Sequence, residues 1–312
     1  MIYLKNLLLG LVLLAVAAGC SNGSSGDLDG GTTDADTDTD TGPIVCNLGV
    51  YTGSFTISTQ SDVAALAGYT SISGGLTINC PSCTDLSELI CLISVGGDFN
   101  IDYNHTLTNL DGLDGITSVD GHLVIEDNMI LTDLGGLSAL TSVGSDLSIQ
   151  YNYNLPNLDG LSGLTSVSGW FLLIWHNAAL TNLNGLSALT STGSMLSIES
   201  NAALTNLAGL NSLTSVDTLY IEGNAALTNL DGLSGITSLS WNLWIEDNAA
   251  LTNLNGLSAL TSLGNELLIT ENLFLPDCEA CDLLDQLTTG PASIDVHDNL
   301  DDTCTPVPTN CP

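Results

Sequence analysis

Hydrophobic residues recur along most of the chain at fixed offsets, with polar residues between them. One unit reads Leu219-Tyr220-Ile221-Glu222-Gly223-Asn224, followed by Leu227, Leu230, Leu233, Ile236 and Leu239, and its neighbours nearly copy it. Asn104, Asn128, Asn152, Asn177, Asn201, Asn224, Asn248 and Asn272 mark the repeat at intervals of 24, 24, 25, 24, 23, 24 and 24 residues. A fixed period of this size identifies a solenoid. The Leu-x-Ile step alternates and so predicts a short strand in each coil, from Leu123/Ile125 to Leu267/Ile269; stacking makes these one parallel sheet. The later steps of three fit no long helix, and a Gly sits near their middle in most units, so bends and short extended pieces are predicted there. Degenerate coils near Phe55/Ile57, Leu76/Ile78 and Phe99/Ile101 extend the pattern. At ~4.8 Å per coil, about ten coils make a rod on the order of 45 to 50 Å. The expectation is an all-β parallel solenoid: a cap with degenerate coils over 46–94, the regular repeat over 95–275 and a Cys-containing cap over 276–312.

The repeated Asn falls in the turn just after each strand, where its amide can bond turn backbone groups and the amides of adjacent coils. A column of one residue type reads as a structural ladder, because an identical residue in every coil marks no single site. The Thr columns, such as Thr117, Thr141, Thr165, Thr190 and Thr214, read the same way.

The pattern L-x-x-L-x-G-L-x-x-[LI]-x-[ST]-[VL]-x-x-x-L-x-I-x-x-N, over roughly Leu92 to Leu275, resembles the receptor L domain, a leucine-rich-repeat-like solenoid of receptor ectodomains and fungal wall proteins. The resemblance implies a right-handed parallel β-helix with capped ends, used outside cells for binding or adhesion. It brings no catalytic motif. The chain shows no second spanning segment and no kinase or furin-like part, so signalling across a membrane is not implied.

Side chains flanking and between the strand Leu and Ile point away from the core and form surface columns. Two features break the otherwise copied repeat. Phe171, Leu173, Trp175, Tyr220 and Trp244 form an aromatic and apolar group, and Glu199, Glu222 and Glu246 stack beside it. Exposed aromatics beside hydrogen-bond acceptors suit a sugar or a protein surface, while in a stacked sheet large side chains also simply cover their neighbours. Carboxylates ~4.8 Å apart repel one another unless a cation sits between them, one keeps its proton, or the side chains splay into water. Calcium is the candidate cation.

Charge and cysteine usage narrow the partners. The 312 residues carry 35 Asp plus Glu against one Lys plus Arg, for a formal charge of -34. Phosphate binding needs clustered cations, so nucleic acid is excluded as a partner. Residues 1–19 read as a signal peptide: Lys5, then an apolar run from Leu7 to Ala18 that is too short to span a bilayer. Ala17-Ala18-Gly19-Cys20 resembles the bacterial lipobox, although Ala17 replaces the usual Leu. That resemblance implies lipid on Cys20, a membrane held through it, and, with Ser21 in place of Asp, the outer membrane, at the cell surface or the periplasmic face. Ser, Gly, Thr and Asp dominate 20–45, which reads as a solvated, self-repelling tether.

Of nine Cys, assigning Cys20 to lipid leaves Cys46, Cys80, Cys83 and Cys91 near one end and Cys278, Cys281, Cys304 and Cys311 near the other. Export favours disulfides, grouped by end, over structural zinc or redox use of the two C-x-x-C pairs. None of His105, His122, His176 and His297 falls in a metalloprotease motif or a recognisable Ser-His-Asp order. Carboxylates ladder-spaced on an open sheet also differ from the facing pair a glycosidase needs. The sequence therefore reads as a non-catalytic envelope lipoprotein that binds or adheres to an extracellular glycan or protein through its sheet. A purely structural envelope component with weak divalent-cation binding is the alternative, and a glycosidase the remote one.

Overall fold

The computed structural model describes residues 43–300, which lie within one compact unit, Pro43–Pro312. The lipidation, signal-peptide and tether expectations, with Cys20, Cys304 and Cys311, fall outside the described residues.

The body is a parallel solenoid. Eleven strands form one sheet in which each pairs with those of the coils before and after, from Phe55–Ile57 to Ser293–His297. The register keeps like residues opposed: Leu123, Leu147 and Leu172 are direct partners, as are Ile125, Ile149 and Ile174. These Leu and Ile side chains turn inward and are fully buried. A second, six-stranded parallel sheet is built from shorter pieces such as Ser118–Val119 and Ser142–Val143, whose Val completes the core from the opposite wall. Between the sheets the steps of three resolve into short 3-10 turns, Gly135–Leu137 and Asn184–Leu186 among them, each burying a Gly and a Leu. The Gly is required where coils approach most closely. A Cβ at Gly185 would stand 1.7 Å from the Leu158 carbonyl oxygen of the preceding coil.

The Asn column joins the coils along the turn. Asn177 is fully buried, and its Nδ2 lies 2.9 Å from the Ile149 carbonyl oxygen, 3.2 Å from that of Trp175 and 3.3 Å from Asn201 Oδ1. Its backbone N–H donates to Asn201 Oδ1 at 3.1 Å, while its own Oδ1 accepts from the Asn152 N–H at 3.1 Å. The column runs on past the regular repeat: Asn299 Oδ1 accepts from the Asn272 N–H at 3.1 Å. At the other end the Cys80 N–H donates to Asn104 Oδ1 at 2.8 Å. The residue before each ladder Asn has left-handed backbone, with φ of 57° at Tyr151, 54° at His176, 54° at Ser200 and 67° at Gly223. That turn swings the next side chain inward. Thr hydroxyls bond the coils along the second sheet, as Thr141 Oγ1 does to the Thr117 carbonyl at 3.0 Å.

Both ends carry added structure. Cys46–Cys91 and Cys80–Cys83 are disulfides, and the helix Gln60–Ala65 opens on Thr59, whose N–H donates to Asp62 Oδ2 at 2.8 Å. At the far end the helix Asp277–Gln286 buries Ala280, Leu283 and Leu284, and Gln286 Nε2 donates to the Leu257 carbonyl at 2.8 Å. Cys278 and Cys281 are also in disulfides. Among the described residues, no helix is long and apolar enough to cross a membrane.

Two stability changes follow from the ladder. Asn177→Ala leaves buried backbone groups of two coils without partners and lowers unfolding stability by about 3 kcal/mol or more, read from the urea midpoint. Ser200→Gly relieves left-handed strain at a half-buried turn position and raises stability by up to about 1 kcal/mol.

Candidate functional site

The outward side of the long sheet is less open than alternation alone predicts. Its middle positions include Ser148, Leu173, Ser197 and Tyr220, which are 3%, 3%, 0% and 9% exposed. Adjacent strands sit close enough for a large side chain on one to roof a small one on the next. Leu173 and Tyr220 are thus not the exposed ligand contacts expected of them; Phe171, Trp175 and Trp244 are half-buried. On the strand Leu147–Gln150 even the flanking residues Asp146 and Gln150 are buried, between the rows of Val124 and Leu173.

The rings form two groups, and the single group expected from Phe171 to Trp244 is divided by the strand Met195–Glu199, where Ser197 faces outward. In the first, Trp175 lies 4.9 Å from Tyr151 and 4.8 Å from His176, and Tyr151 stacks on His176 at 5.2 Å with an interplanar angle of 11°. Tyr153 joins at 6.2 Å from Tyr151. In the second, Tyr220 meets Trp244 edge-on at 5.5 Å, and Trp244 Nε1 donates to Glu266 Oε2 at 2.9 Å. Tyr151 and His176 escaped the sequence reading because they occupy the left-handed turn position and not the strand. The available signal was their bulk: the same column carries Ser200 and Gly223 farther along. Burial holds the His176 imidazole below its ordinary pKa and so favours the neutral form of the stacked ring.

Glu199, Glu222 and Glu246 are direct register partners on successive strands. Ser197 Oγ donates to Glu199, and the Tyr220 hydroxyl donates to Glu222, so two of the three carboxylates are held by the residue two before them. Among the described residues, no three His, Cys, Asp or Glu side chains converge in a group able to hold a metal ion.

A second acidic pair lies nearer the start of the sheet. Asp102 and Glu126 are opposed across adjacent strands. Burial lifts both carboxyls above their ordinary range, and the nearby Asp102 and Asp127 charges lift Glu126 further. Asn79 Nδ2, 3.1 Å from Asp102 Oδ2, acts the other way on Asp102. The Gln150 amide acts the other way on Glu126, although neither of its polar atoms completes a hydrogen bond.

Coil stacking also assembles a contact that sequence order did not reveal. His122 Nδ1 lies 3.0 Å from Asp146 Oδ2, and His122 Nε2 lies 3.5 Å from Ser145 Oγ. The line has the order of a serine-hydrolase relay, but the Asp146 backbone N–H donates to His122 Nδ1 at 3.3 Å and the backbone donors beside Ser145 are already engaged. The Gly144 and Ser145 N–H groups already bond the Val119 and Gly121 carbonyls, and Asp146 Oδ1 accepts from the Trp170 and Phe171 N–H groups at 2.6 and 3.0 Å. Asp146 is accordingly a brace for the next coil.

No known family profile matches the chain, and no curated protein matches it. Among solved structures, an internalin from Listeria monocytogenes is similar at 18% sequence identity and a TM-score of 0.47, covering 81% of this chain and 68% of its own.

The raised carboxyls set a pH dependence. Between the unfolded and folded pKa values the folded chain binds more protons than the unfolded one, so this contribution is fully present below the unfolded carboxylate pKa. It is lost as pH rises through the raised folded values of Asp102 and Glu126. Glu126→Gln is expected to flatten that fall, measured as the difference in urea midpoint between the two proteins across the acid-to-neutral range.

Proposed function

We propose that the chain is a non-catalytic recognition module of the cell envelope, exported and held by lipid on Cys20, that binds an extracellular glycan or protein through the outward side of its long sheet. The observation that carries this reading is where the repeat is broken. In coils that otherwise copy one another, large aromatic side chains gather at Trp175 with Tyr151, Tyr153 and His176, and again at Tyr220 with Trp244. A solenoid needs no aromatic there, because the corresponding positions after the strand Met195–Glu199 are filled by Ser200 and Ala202. Clustered, partly open rings mark binding surfaces, and rings set beside carboxylates fit hydroxyl-bearing or basic ligands. The resemblance to the receptor L domain supports the same use. The lipobox-like Ala17-Ala18-Gly19-Cys20 and the Asp-rich stretch after it support anchoring to the outer membrane with the body held away from the bilayer.

Tryptophan fluorescence of residues 43–312, titrated with calcium and then with envelope polysaccharide and protein extracts, tests the reading. A saturable shift is expected from an extract fraction, at least about tenfold weaker in the Trp175→Ala/Trp244→Ala double variant with an unchanged circular dichroism spectrum. Loss of the fold in that variant makes the rings structural. A flat response to every fraction rejects recognition through this side, and a response to calcium alone supports the Glu199, Glu222 and Glu246 stack as a cation site within a structural component.

A further inference from the structure

The most exposed indoles of the described chain are not on the strands at all. Trp170 and Trp241, 77% and 59% exposed, each sit just before a strand of the long sheet, in the corner leading into Phe171–Trp175 and Asn242–Glu246. They share one column. The Trp170 carbonyl accepts from the Met195 N–H at 2.8 Å, that of Ser194 from Thr218 at 2.8 Å, and that of Asp217 from Trp241 at 3.0 Å. Three coil steps separate the two rings, roughly 14 Å along the stack.

Each indole is presented on a braced corner. The Trp170 N–H is held by Asp146 Oδ1 of the preceding coil at 2.6 Å. On the Trp241 corner, the preceding residue Ser240 donates its hydroxyl to Asp217, again one coil back. Between the rings the column carries only Ser194 and Asp217, with Thr218 alongside, so two flat apolar plates rise from a low interval of hydroxyl and carboxylate groups. Neither ring takes part in the ring clusters of the sheet, and most of each faces solvent.

We infer that Trp170 and Trp241 form a platform for a linear neutral polysaccharide running along the solenoid axis, stacking one sugar ring on each indole while the interval bonds the hydroxyls between them. Charge selects the class. The chain has no Lys or Arg after Lys5, so nothing here offsets the charge of an acidic polysaccharide or an anionic lipid surface. A basic polymer would need several carboxylates, and the interval offers one, already accepting from Ser240. A sugar ring has an apolar face for an indole and hydroxyls for Ser194, Asp217 and Thr218, and its repeat lets one chain meet both plates, where two weak contacts act as one stronger one. The inference rests on the chain being a recognition module but places this contact off the sheet face, so the two sites can fail separately.

Retention of the full-length protein on amorphous cellulose, chitin, mannan and xylan tests it, with poly-L-lysine beads and phosphatidylcholine vesicles run in parallel. The expected result is retention on at least one of the four polysaccharides that is insensitive to added salt, falls at least about tenfold in Trp170→Ala and in Trp241→Ala with unchanged circular dichroism spectra, and survives in Trp170→Phe. Retention on none of the four overturns the inference. So does retention that the Trp170 and Trp241 substitutions leave intact, or capture by poly-L-lysine or vesicles alone; loss only in the Trp175/Trp244 variant assigns glycan binding to the sheet face instead.

Discussion

Everything in this molecule depends on a buried amide that must be satisfied from both sides. A solenoid turn brings backbone N–H and C=O groups into the interior, where leaving them unpaired is costly. The ladder Asn answers for its own coil and both neighbours at once: its oxygen accepts from the coil before, its nitrogen donates to the preceding strand, and its backbone donates to the next Asn. Each link presupposes the ones beside it. That is why the column continues through Asn299; at the start of the sheet, where Cys80 stands one period before Asn104, the coils carry two disulfides and a short helix.

Turning that amide inward requires a left-handed residue before it, and the requirement shapes the surface as much as the core. Only Gly223 meets it without steric cost. On two successive coils the strained position holds Tyr151 and His176, whose side chains are thrown outward at the same corner and meet one another and Trp175. The backbone device that builds the core is thus also what gathers rings on the outside.

How much was legible in the sequence follows from this logic. The period, the Leu-x-Ile strand and the Asn column could all be read, because each is a local pattern imposed identically on every coil. The exposure of Leu173 and Tyr220 could not, since it depends on how large the residues one coil away are. Ser145, His122 and Asp146 met unannounced for a related reason: in a stack, neighbours lie one period apart, and His122 with Asp146 is such a pair. Tyr151 and His176 lie outside the Leu-x-Ile pattern, and the pairing of Cys46 with Cys91 leaves no mark on spacing.

The ladder also makes length a heritable variable. Because each Asn bonds only its own coil and the coils on either side, a whole coil can be duplicated or lost by recombination between near-identical repeats and the seam closes with the same bonds. The core is indifferent to such an event. The surface is not: one coil more between Trp170 and Trp241 moves them apart by a full strand spacing, so the outside changes its dimensions without altering how the inside is built.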